Sequence, residues 1–197
     1  MMDKSQIREV LETCWKDVEI YYKSDSISSE RSLQAEMYRS LRRLLGEGCK
    51  VLVEPAIDPY IPDIVVVDDA RVLCVIEIKC APHWWVSGPS LKNDIDKLSA
   101  YSSMNEFETG IFGPKRVFET KKGKWLGGRN IFSLNDETVF CFAAITRGEA
   151  PCSCLSGLKA YAPSLKHIQN FCLLSGAIHV DEASGSSSEE FTVEATF

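Results

Sequence analysis

Long apolar runs are missing from this 197-residue chain. None approaches the ~18 residues that a membrane-spanning helix requires. A secretory leader is missing as well: the opening Met-Met-Asp-Lys-Ser-Gln leads directly into an amphipathic pattern, so the expected location is the cytoplasm. No internal repeat is found. Histidine is scarce, with three residues, and His83 stands alone and receives no catalytic role. A disulfide framework is also absent. The eight cysteines include Cys74, Cys141 and Cys172 inside apolar runs, which suits reduced core thiols. Cys152 and Cys154 form a Cys-Ser-Cys pair that fits no metal-cluster spacing. They read as structural cysteines, with a metal or iron–sulfur role as the alternative.

An excess of positive charge is missing too. The formal net charge is −6, which does not favour binding a polyanion. Its distribution matters more than its sum. Residues 181–197 hold Asp181, Glu182, Glu189, Glu190 and Glu194 with no basic residue. Residues 111–130 hold Lys115, Arg116, Lys121, Lys122, Lys124 and Arg129 against Glu119 alone, a local charge of +5. Such a stretch can meet phosphates on an acidic protein, or it can be a solvated loop. Otherwise the balance, 45% hydrophobic and 25% charged, is that of an ordinary globular domain.

Two helices open the chain. Residues 4–22 place Ile7, Val10, Leu11, Cys14, Trp15, Val18 and Tyr22 on one stripe. Residues 29–45 do the same with Leu33, Met37, Leu41, Leu44 and Leu45, capped by Ser28 or Ser29 and ended by Gly46 or Gly48. Three β-type runs follow, Lys50 to Glu54, Ile61 to Val67 and Val72 to Cys80. The turn Asp68-Asp69-Ala70 folds the last two into an antiparallel hairpin. Residues 90–102 return to helical spacing. Residues 103–134, rich in glycine and charge, read as an excursion such as a hairpin or flap. Val139 to Thr146 is an apolar strand, 155–169 a short helix interrupted by Pro163, and Phe171 to Val180 a last apolar run. The segment from Asp181, with Ser-Gly-Ser-Ser-Ser, reads as a disordered acidic tail. The order predicts one α/β domain over residues 1–180, a sandwich around a mixed sheet with helices on its faces.

The third strand carries the chemistry. Side chains alternate across a strand, so Cys74, Ile76, Ile78 and Cys80 share one face, and Leu73, Val75, Glu77 and Lys79 the other. Glu77 and Lys79 could pair with each other. Asp63, at the start of the preceding strand, weakens that reading, because the hairpin brings residues near 63 beside residues near 77. Two carboxylates and a lysine then converge at one sheet edge, and two like charges call for a cation between them. Oxygen-only donors favour Mg²⁺ or Mn²⁺ over zinc.

Pro62-Asp63, 13 intervening residues and Glu77-Ile78-Lys79, set on a strand–turn–strand, resemble the signature of the PD-(D/E)XK nuclease superfamily. That resemblance implies a restriction endonuclease-like αβββαβ core over residues 29–146, with an N-terminal helix and C-terminal additions. It implies that Asp63, Glu77 and the Ile78 backbone carbonyl hold Mg²⁺ or Mn²⁺, and that Lys79 orients a water or stabilises the transition state. It also implies an acid on the helix before the meander: Glu36 fits that place, with Glu30 as the weaker candidate and a simple polar-face glutamate as the plain reading of Glu36. The implied activity is metal-dependent phosphodiester hydrolysis, on DNA more than RNA.

One exonuclease branch of the superfamily carries Gln-x-x-x-Tyr on the helix after the motif. Here that stretch is Lys97-Leu98-Ser99-Ala100-Tyr101, a departure at the first position. Lys97 and Tyr101 share a helix face. They are candidate nucleic-acid contacts, with Lys121, Lys122 and Lys124, or else a surface lysine and a core-edge tyrosine. Trp84 and Trp85 can stack on bases or pack under a loop. The alternative to an enzyme is a catalytically silent nuclease-fold module that binds nucleic acid or protein. Members of this fold act as dimers or in larger complexes, and either is compatible with the sequence.

Overall fold

In a computed structural model of the chain, which describes residues 2–55, 57, 60–81, 88–110, 117–119, 124–126, 129–148, 165, 167–181 and 186–195, Asp3 opens the first helix. Its carboxylate accepts the Ser5 and Gln6 N–H groups, and Gln6 Oε1 accepts the Asp3 N–H. Helix α1 (Lys4–Lys23) then buries Ile7, Leu11, Cys14, Trp15 and Val18. Helix α2 (Glu30–Leu45) starts from a reciprocal Ser29–Ser32 cap and buries Leu33, Met37 and Leu41. It ends at Gly46, whose φ of 65° lies where a side chain would be strained.

The meander follows as β1 (Lys50–Val53), β2 (Ile64–Asp68) and β3 (Arg71–Ala81), antiparallel throughout. Asp69, at φ 56°, makes the β2–β3 turn. The pairing shifts between Val66 and Val67, which face Cys74 and Val72 and leave Leu73 without a partner. This bulge corrects one expectation. Leu73 packs with Cys74 under α1 and α2, and Val72 joins Val75 on the opposite face, because an extra residue inverts the alternation before it.

Helix α3 (Gly88–Ser102) leads into a β arm: β4 (Glu106–Gly110) pairs antiparallel with β7 (Arg129–Ser133), and β5 (Val117–Glu119) pairs with β6 (Lys124–Leu126). Strand β8 (Val139–Gly148) lies parallel to β3, and β9 (Phe171–Asp181) lies parallel to β8. The strand order is β1-β2-β3-β8-β9-β10, with β7 also touching the start of β3, a mixed sheet of eight strands among the described residues.

The last strand is a second correction. Residues 186–195, expected within a disordered tail, form β10 (Ser186–Ala195), antiparallel to β9. Phe191 and Val193 pack against the core beneath α1. The Phe191 ring lies 5.8 Å from Trp15 and 5.7 Å from Tyr22. Alternating apolar residues thus anchor a segment whose serines and glutamates suggested none.

Two cores sandwich the sheet. One joins α1 and α2 to Ile64, Val66, Ile76, Ile78, Cys141 and Cys172; the other joins α3 to Val65, Val75, Phe140 and Phe142. Cys14, Cys49, Cys74, Cys80, Cys141 and Cys172 are buried free thiols. Among the described residues no helix is long and apolar enough to cross a membrane. The readings of His83, Trp84, Trp85, Cys152 and Cys154, and most of the helix expected at 155–169, lie outside the described residues.

Candidate functional site

Continuing the β2–β3 register beyond Ile64 opposite Ile76 sets Asp63 opposite Glu77. Asp63 is tightly held. Its Oδ2 accepts the Ile78 N–H at 2.6 Å, and its carbonyl accepts the Glu54 N–H at 3.0 Å and Gln34 Nε2 at 3.2 Å. Glu54 reaches it with a φ of 44°, a strained turn of a kind common beside functional sites.

Glu77 is fully buried, on the face of β3 toward α3. Its Oε2 accepts a hydrogen bond from Lys97 Nζ at 3.0 Å, and among the described residues its Oε1 has no hydrogen-bond partner. Lys97 also stands 3.1 Å from Asp94 Oδ1. The other Asp94 oxygen stands 2.9 Å from Lys79 Nζ, which lies 3.3 Å from Glu30 Oε2. A line of charges thus runs Glu77, Lys97, Asp94, Lys79, Glu30, with Asp63 beside it. Among the described residues, four carboxyl groups share two ammonium groups. Glu77 and Lys79, expected as possible partners, each take a different one.

Protonation follows from this crowding. Burial, reinforced by the Asp63 charge and opposed by Lys97, pushes Glu77 up to about 8. Burial also pushes Asp63 up to about 6; the Ile78 N–H opposes this, and Glu30 adds to it. For Lys79 burial favours the neutral form, but the bonds to Asp94 and Glu30 outweigh it and the net shift is upward. Lys97 is raised in the same way, with burial outweighed by Glu77 and Asp94. The Tyr101 hydroxyl is raised by burial first and then by the charges of Glu77 and Asp63, and it has no hydrogen-bond partner among the described residues. Among the described residues, Glu77 Oε1, the Tyr101 hydroxyl and Asp94 Oδ2, which has the Lys79 ion pair but no hydrogen bond, are thus buried in this cluster, where each is costly unless something polar meets it.

Asp63, Glu77 and Lys79 thus fall at one end of the interior strands β2 and β3, and Lys97 and Tyr101 join them from α3. Three readings change. Glu36 is paired with Arg39 at 2.7 Å, and Arg39 lies over the Tyr21 ring of α1. It sits two residues past Gln34, roughly 200° around the helix, and Glu30 is the α2 acid at the site. Tyr101 is fully buried and offers no surface to a polymer, because α3 uses that face to pack on the sheet. Lys97 is engaged by two carboxylates rather than free at the surface. Lys121 and Lys122 lie outside the described residues, and Lys124 opens β6. Sequence reasoning passed over Asp94, although its place three residues before Lys97 is the spacing of a helical ion pair.

Among the described residues, no three or more His, Cys, Asp or Glu side chains are grouped as metal ligands. No protein-family model matches the chain, and no curated protein does. The solved structure of Pyrococcus furiosus SfsA in complex with Ca²⁺ superposes with a TM-score of 0.38 and 13% identity, over 81% of this chain and 62% of that one. The chain therefore spans less than two thirds of that protein's length.

Proposed function

We propose that the chain is a divalent-metal-dependent phosphodiester hydrolase of the PD-(D/E)XK type, acting on nucleic acid and on DNA in preference to RNA. One observation carries this reading. Among the described residues, a fully buried glutamate has an unpartnered oxygen within a cluster where four carboxyl groups share two ammonium groups. Such a cluster lacks positive charge, and a cation supplies it.

The donor set fits Mg²⁺ or Mn²⁺. Mg²⁺ is commonly held by one or two carboxylates and completes its shell with water, so Asp63 and Glu77 suffice as side-chain ligands. The Ile78 carbonyl points to the same side of β3 as the Ile78 N–H, and that N–H meets Asp63. Held by Asp63 and Glu77, a divalent ion would supply an acidified water and would neutralise charge on the phosphate. Asp63 is oriented for this by the Ile78 N–H. Lys79, held by Asp94 and Glu30, presents an ammonium to the charge that builds on the phosphate oxygens. The order α2, β1 to β3, α3, β8, with β8 parallel to β3, supports the same reading. The chain would act in the cytoplasm, alone, as a homodimer or within a larger complex.

A second reading is a catalytically silent module that binds nucleic acid or protein. It is favoured by Lys97, which already meets one oxygen of Glu77. Incubation with single- and double-stranded DNA and with RNA, in Mg²⁺ and in Mn²⁺, separates the two. The enzyme reading expects metal-dependent cleavage that disappears in a folded Asp63→Asn variant. A wild type inert on every substrate in both metals favours the silent module.

A further inference from the structure

Lys97 occupies the place where a cation is wanted. Its ammonium lies 3.0 Å from Glu77 Oε2 and 3.1 Å from Asp94 Oδ1. The two partners of Lys97 differ in kind. Glu77 is a fully buried residue of β3, inside the sheet. Lys97 is part-exposed, with 28% of its side chain open, and its head sits on a stem of four methylenes. If the pair opens, the lysine is the member that moves. Asp94 gives it somewhere to stay, being three residues earlier on the same helix and already bonded to it. Lys97 can therefore release Glu77 without losing its last counter-charge.

We propose that Lys97 is a tethered counter-ion of Glu77, which a divalent metal must displace to enter the site, and that it thereby sets the metal affinity. The inference rests on the metal-binding reading above. A resident ammonium neutralises part of the acid cluster and competes with the ion for the same oxygens. A polyanion that draws the released ammonium toward itself relieves the competition, and by linkage the metal strengthens polyanion binding by the same factor. Lys97 is a positioning residue in this scheme, and it needs no contact with the reacting atoms.

The test is Mn²⁺ titration by calorimetry on the wild type, Lys97→Gln and Lys97→Arg. Glutamine keeps one donor for Glu77 and loses the charge; arginine keeps the charge. Losing a charge-assisted bond to a buried carboxylate corresponds to roughly 10- to 100-fold in affinity, so Lys97→Gln should bind Mn²⁺ that much more tightly. Lys97→Arg should stay near the wild type. A lysine that only braces the fold gives the opposite sign, because a loosened site binds metal more weakly. Unchanged or weaker binding in Lys97→Gln overturns the inference and leaves the metal reading standing. No Mn²⁺ binding in either the wild type or Lys97→Gln overturns both. The wild type alone supplies an independent readout should the glutamine variant fail to fold. The Lys97 side-chain resonances should shift as Mg²⁺ is added, and resonances that stay still in protein that binds Mg²⁺ overturn the inference.

Discussion

Replacing Glu77 with glutamine should flatten part of the pH dependence of the metal-free protein. The wild-type carboxyl has an ordinary value of 4.5 and a folded value of about 8. The folded state therefore holds the proton more tightly than the unfolded chain. Its contribution is fully present below 4.5 and is lost as the pH rises through about 8. Within that window stability falls by about 1.4 kcal/mol per pH unit for this group. The loss reaches about 3 kcal/mol near neutrality, with an upper limit of roughly 5 kcal/mol above pH 8. Asp63, moving from 3.8 to about 6, adds an earlier loss that is complete soon after pH 6. Glutamine has nearly the same shape and carries no titrating proton, and Lys97 keeps Asp94 as its partner. Urea denaturation in chelator at several values between pH 5 and 9 measures the effect. Wild-type stability should fall across the range. The variant should fall only to about pH 6 and then level off, becoming the more stable protein at pH 8. Parallel profiles, or a wild type that gains on the variant between pH 6 and 8, would refute the reasoning from burial.

Three further outcomes are expected. Lys79→Ala should lower cleavage by roughly 10²–10³-fold with metal affinity kept, measured by turnover and calorimetry. It should also cost about 1–3 kcal/mol, because Asp94 is left with Lys97 alone in a buried place. Gly176→Ala should cost about 1–3 kcal/mol by overpacking: its new methyl would sit 2.8 Å from the Phe191 ring and 3.1 Å from Ile145. Shortening Phe191 to leucine in the same chain should recover part of that in thermal melts, which tests whether β10 packs as described. Ser29→Ala should cost about 1 kcal/mol through the lost α2 cap, again by melting.

How much was legible depended on the range of the signal. The α1 and α2 stripes, the Ser29 cap and the Gly46 stop are local, and they sit where the sequence pattern predicts. So does the turn at Asp69. Strand β10 was hidden because two alternating apolar residues, Phe191 and Val193, stood against a composition of serine and glutamate, and the Phe191 ring partners Trp15 and Tyr22 lie at the other end of the chain. Composition measures the average of a segment, whereas anchoring needs only the right two side chains.

The site divides along the same line. Strand alternation and the hairpin register need only neighbouring residues, so the meeting of Asp63 with Glu77 could be read in advance. Which cation serves which acid could not. Glu77 and Lys79 stand two residues apart on β3, but Glu77 takes Lys97 from α3, while Lys79 takes Asp94 from α3 and Glu30 from α2. Long-range approach decides those pairings, since α3 lies across one face of the sheet and the start of α2 reaches its end. The same packing bears on Glu36, which pairs with Arg39, whereas Glu30 and Gln34 reach the β2–β3 end of the sheet. A motif of three residues thus marked where charge is buried. The balance of that charge, which among the described residues leaves Glu77 Oε1 without a partner, is set by residues the motif does not contain, and it decides how strongly the site would draw a cation.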